Sequence, residues 1–118
     1  MEDPRKAILE ILRREGPVPV YRLAKALGLS YGAVQWHIFT LEREGLVETI
    51  RVGKRQYVAL KTADVARTIK VADALEELAL TLRAYGVRPD MSLQEAIELL
   101  EKKAPHIAEI LKRLITRP

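Results

Sequence analysis

The stretch that decides the fold is "LAKALGLSYGAVQWHIFTLEREGLVETIRVGKRQYVAL", residues 23–60. It closes one short helical segment, "YRLAKALG" (21–28), at Gly28. Ser30 is then placed to cap a further helix that Gly45 ends. The β-rich runs "LVETIRV" (46–52) and "QYVAL" (56–60) flank "GKR", which gives a hairpin with a basic tip. The tight "LGLS" link between two helices suits a helix-turn-helix.

The helix after Ser30 carries the chain's only Trp and only Phe. A helix turns about 100° per residue, so Val34, Ile38 and Leu41 share one face, with Tyr31 at its edge. Gly32, Trp36, Phe39 and Arg43 fall on the opposite face. The large aromatics therefore point away from the core stripe. Three destinations follow for Trp36 and Phe39: DNA, a protein partner, or burial under C-terminal helices.

Upstream, Asp3-Pro4 opens a helix, because Asp caps free N–H groups and Pro is tolerated at the first helical position. Ile8 and Leu12, with Leu9 and Ile11, give it an apolar face, and Gly16-Pro17 stops it. "VPV" (18–20) allows only a short extended piece, since Pro19 lacks a donor.

From Thr62 the texture changes. Val71, Leu75, Leu78, Leu82 and Tyr85 are spaced 4, 3, 4, 3, and a second run of Leu93, Ile97, Leu100, Ala104, Ile107, Leu111 and Leu114 continues that spacing. This predicts long helices packed along a partner helix, with a break at Pro105. Ser92 is placed to cap the second run. The expected organisation is a head over residues 1–61 and a helical extension over 62–118 that dimerises through Leu75, Leu78, Leu82, Leu93, Ile97, Leu100, Ile107, Leu111 and Leu114.

At 118 residues and 13.4 kDa the chain fits one domain, or a small domain with an extension. No apolar run approaches the ~20 residues of a membrane span, and the N-terminus lacks a signal-peptide core. Cysteine is absent, so disulfides and thiolate chemistry are excluded, in keeping with a cytoplasmic location. Asn is also absent, Gln occurs three times and 31% of residues are charged, a composition that hints at a thermophilic source. The net charge of +4 lies entirely within residues 1–61, and the remainder is neutral. A basic head suits a polyanion.

No Gly-rich phosphate loop, nucleophile motif or cluster of His and carboxylates points to an enzyme. His37 reads as a packed histidine at the core margin and His106 as a surface residue, so neither a metal nor a cofactor is expected.

On these residues the segment resembles the winged helix-turn-helix core of the ArsR/MarR-type transcription regulators, in an archaeal-type version. The matching features are the LA..LGLS start, Val34 before His37-Ile38, Leu41, and Gly45-Leu46-Val47 ahead of the wing, over about residues 4–61. The resemblance implies a mainly α fold with a small β-hairpin, and homodimeric binding of double-stranded DNA with the third helix in the major groove. Ser30, Tyr31, Gly32, Gln35, Trp36, Phe39 and Arg43 would then face DNA. Arg51, Lys54 and Arg55 would hold phosphates from the wing. Arg22 and Lys25 could add backbone contacts. Gln35 is of the type that pairs bidentately with adenine. Trp36 and Phe39 depart from the small polar and basic residues usual in this family at those places. Small archaeal chromatin proteins with a coiled-coil extension are a related comparison, which keeps open an architectural role with little sequence preference. A protein-docking module anchored by Trp36 and Phe39 is the third reading.

Overall fold

The computed structural model of the chain describes residues 3–116, which divide into two compact units. The first comprises residues 1–50 and 56–63. The second comprises 51–55 and 64–118. The division thus falls two residues later than the sequence suggests. The hairpin tip also clusters with the second unit, away from the head to which the sequence reading assigns it.

The first unit begins with α1 (Pro4–Glu15). The Asp3 side chain accepts from the Arg5 backbone N–H at 3.0 Å, and Pro4 takes the first helical position, where no N–H is needed. β1 (Val18–Pro19) follows, and α2 (Val20–Leu27) starts directly from Pro19. Gly28 ends α2 in the left-handed region at φ 65°, where a side chain would be strained. Its N–H and that of Leu29 return to the last carbonyls of α2, and the chain turns straight into α3 (Tyr31–Arg43).

The Ser30 hydroxyl accepts from the Ala33 backbone N–H at 3.1 Å, which fixes the first turn of α3. Val34, Ile38 and Leu41 are fully buried, in a core with Ile8, Leu12, Val18, Val20, Leu23, Val47 and Val58. Each such aliphatic side chain contributes about 1.5–3 kcal/mol by burial, so this stripe fixes the rotation of α3 about its axis. At the far end of α3 the Arg5 guanidinium pairs with Glu44, and Thr49 Oγ1 donates to Glu42 at 3.1 Å.

β2 (Val47–Val52) and β3 (Arg55–Leu60) form the hairpin. β1 adds antiparallel to β3, with Val18 opposite Val58 and Pro19 opposite Tyr57. A two-residue edge strand tolerates the missing N–H of Pro19.

In the second unit the chain runs through α4 (Val65–Thr68), α5 (Val71–Ala74), α6 (Ala79–Arg83), α7 (Leu93–Lys103), α8 (Pro105–Leu114) and β4 (Ile115–Thr116). β4 pairs antiparallel with the distal end of β2, Arg51 opposite Thr116 and Val52 opposite Ile115. The Gly53 N–H donates to the Leu114 carbonyl at 2.8 Å.

Two expectations are corrected here. The first 4-3 stripe does not lie on one long helix: Val71 sits on α5, of four residues, Leu82 on α6, of five, and Leu75 and Leu78 are the end residues between them. The β-branched run Thr68-Ile69 with Val71 disfavours continued helix. Ile69 is extended at ψ 128°, and its carbonyl accepts from the Leu93 N–H. The Val71 N–H donates to the Met91 carbonyl at 2.8 Å. Second, most of the residues expected at a dimer interface are spent inside the unit's own core. Leu75, Leu82, Leu93, Ile97, Leu100 and Leu111 are buried, Ile107 and Leu114 are half-buried, and only Leu78 is exposed. Heptad spacing marks what must be buried, and α7 folding back on α8 buries it within one chain. Pro105 splits the last run: α7 stops at Lys103, Ala104 leaves the helical region at φ −152° and ψ 76°, and Pro105 opens α8.

Candidate nucleic-acid interface

With its core stripe seated, α3 presents a fixed outer face. Trp36 is 62% exposed, Tyr31 50% and Phe39 47%, so neither aromatic of the opposite face is a core residue. The Trp36 and Phe39 rings stack with centroids 5.9 Å apart at 28°. The Arg43 guanidinium lies 5.8 Å from the Phe39 centroid, within range of the attraction between a cation and a ring face. Indole, phenyl and guanidinium thus form a row along about two turns of the helix. Such a row gives flat apolar surface ending in a positive charge. Gly32 sits at the start of this face in helical backbone, and a Cβ placed on it would meet nothing within 4 Å. That leaves the backbone open to close approach.

A polar group flanks the row. The Gln35 amide donates to Tyr31 Oη at 3.0 Å and to Gln56 Oε1, on β3, at 2.8 Å. Gln56 was not among the residues that the sequence singles out. Strand alternation marks no special role for it, and only the fold brings it to α3. Of the cations on α2, Arg22 pairs with Glu15 at 2.8 Å while Lys25 is exposed in the last turn.

The hairpin tip belongs to the second unit and differs in character. Gly53 takes φ 63° at the turn, and Lys54 is exposed, with no ion pair among the described residues. Arg51 Nη1 reaches the Lys54 carbonyl at 3.4 Å. Arg55 is the exception to the expectation of freely offered charge. Its guanidinium donates to the Asp73 carbonyl at 2.5 Å and to Glu76 Oε2 at 3.3 Å. Asp73 and Glu76 lie about twenty residues downstream, and no local pattern announces them.

Among the described residues no three His, Asp or Glu side chains group closely enough to hold a metal ion, and no helix is long and apolar enough to cross a membrane. His37 is half-buried, and its carbonyl accepts from Thr40 Oγ1 at 2.9 Å.

Three helices around one core, with the last helix outward-facing and followed by an antiparallel hairpin, define a winged helix-turn-helix. Comparison with known proteins agrees. Residues 1–48 match the family described as winged helix-turn-helix DNA-binding. The chain is 30% identical over 93 residues to the HTH-type transcriptional regulator LrpA of Pyrococcus horikoshii, covering 72% of this chain and 66% of that protein. It therefore spans just under two thirds of that relative's length. Among solved structures, a possible transcriptional regulatory protein (fragment 1–100) of Mycobacterium bovis is 31% identical with a TM-score of 0.49. That match covers 68% of this chain and 81% of that one. The adhesin competence repressor of Streptococcus pyogenes is 22% identical with a TM-score of 0.47, over 96% of this chain and 75% of that one. Residues 1–48 thus match a winged helix-turn-helix DNA-binding domain, and the chain is similar in sequence to a transcriptional regulator of that type.

Proposed function

We propose that this protein regulates transcription by binding double-stranded DNA as a homodimer, with α3 in the major groove and the basic hairpin lying along the phosphate backbone as a wing. The observation that carries this reading is the outer face of α3. A helix of this size fits the major groove, and its exposed groups reach base edges. Trp36 and Phe39 offer apolar contact to thymine methyls and sugars, while Arg43 and Lys54 offer charge to phosphates. The excess positive charge of residues 1–61 supports the same target. Its site of action is then the cytoplasm, with the DNA.

Two-fold symmetry would place two α3 helices in successive major grooves roughly 34 Å apart. Because the heptad leucines are largely consumed within the chain, the dimer contact falls to apolar side chains that the second unit leaves outside. These are the exposed Leu78, Leu80 and Ile110, together with the half-buried Ile107 and Leu114.

Selection of bound sequences from a random duplex pool tests the proposal. Enrichment of one palindrome supports the regulator. Flat enrichment with firm binding supports an architectural role. Absence of salt-sensitive binding leaves a protein-docking module, a reading favoured by one observation: Phe39, near the centre of the exposed row, has no polar atom.

A further inference from the structure

Gln35 is usually credited, by residue type, with bidentate recognition of adenine, in which one amide N–H meets N7 and the carbonyl meets the N6 amino group. The geometry here removes half of that pair. A primary amide has two N–H bonds, and both are used: one on Tyr31 Oη at 3.0 Å, one turn earlier on the same helix, and one on Gln56 Oε1 at 2.8 Å, on β3. Only the Gln35 carbonyl oxygen remains to be offered. Gln35 and Gln56 are both half-buried, so their bond is partly shielded from competing water.

We infer that Gln35 reads base edges as an acceptor alone, and that Gln56 is the positioning residue that imposes this. An acceptor pairs with the exocyclic amino groups of adenine and cytosine, and it opposes the keto oxygens of guanine and thymine. The consequence is discrimination between amino and keto bases at one strand position, not recognition of adenine. The inference rests on the placement of α3 in the major groove.

The test is selection from a random duplex pool with the wild type, Gln56→Ala and Gln56→Glu, alongside thermal melting of each. The wild type is expected to enrich adenine and cytosine together over guanine and thymine at one position, by about two- to tenfold, the range for one hydrogen bond. Gln56→Ala returns an N–H to Gln35 and is expected to favour adenine over cytosine by a similar factor. Gln56→Glu keeps an acceptor for Gln35, so its profile is expected to stay amino-selective even if its added charge weakens binding overall. Should Gln56→Ala fail to fold, the Gln56→Glu profile decides: amino selectivity retained supports the inference, and amino selectivity lost overturns it. A wild-type profile of adenine alone, or a Gln56→Ala profile identical to the wild type, also overturns it while leaving the DNA-binding reading intact. If the wild type binds no duplex, both fall.

Discussion

The indole of Trp36 and the ring of Phe39 stack 5.9 Å apart, three residues apart on α3, on the side away from Val34, Ile38 and Leu41. Offset stacking of this kind contributes about 0.5–1.5 kcal/mol, enough to hold the rings as one plate but too little to make them essential to folding. The two faces of α3 are therefore expected to fail differently on mutation.

Trp36→Ala is expected to melt close to the wild type, while its affinity for duplex DNA falls by about 1–3 kcal/mol, the range for a good base-edge contact. Ile38→Ala removes a buried side chain and is expected to cost about 2–5 kcal/mol of stability. Melting and binding measured on both variants separate the faces. A Trp36→Ala protein that melts many degrees lower with normal DNA affinity would make the aromatic plate structural.

Gly32→Ala offers a sharper separation, because stability and binding are expected to move in opposite directions. The site is helical and open, so alanine gains about 0.4–1 kcal/mol of stability. On the groove-facing side the added methyl group stands where the duplex approaches, and affinity falls. A variant that is both more stable and equally tight in binding would mean that DNA does not come close at Gly32.

The orientation of α3 was legible in the sequence because a regular helix converts residue number into direction, and three buried aliphatics at 34, 38 and 41 leave one solution. The capping by Ser30 and the break at Pro105 were legible for the same local reason. The 62–91 segment was not. Leucines at 75 and 82 are buried as their spacing implies, yet the backbone ahead of them, at residues 69–72, is tied to residues 89–93, which no local pattern shows. The state of Arg55 was hidden likewise: a basic turn reads as free charge until the fold supplies Glu76.

That pair makes a prediction of its own. Glu76→Gln removes one negative charge from beside Arg55, and because both side chains are partly exposed the stability change is expected to be small. If the hairpin follows the phosphate backbone, the loss of a negative charge beside the tip raises DNA affinity and steepens the salt dependence by up to about 0.9 in slope. Lys54→Ala is expected to lower affinity for all sequences alike and to flatten the slope by a similar amount. Affinity measured across a salt series reads both. An unchanged slope in both variants would remove the tip from the interface.

For the assembly, the buried pair Leu100 and Leu111 and the exposed pair Leu80 and Ile110 give opposite expectations. Leu100→Glu with Leu111→Glu buries two charges and is expected to unfold the second unit. Leu80→Glu with Ile110→Glu touches only exposed positions, so melting at matched monomer content is expected to hold while sedimentation shifts from dimer to monomer. An undisturbed dimer in the second variant would place the contact elsewhere.

The chain's single tryptophan makes the most direct measurement available: titration of duplex DNA while following Trp36 emission. With α3 seated in the major groove, emission is expected to change saturably with added duplex and to recover as salt releases the complex. Saturable, salt-sensitive binding seen by an independent signal, with Trp36 emission unmoved throughout, would contradict the placement of this helix face on DNA.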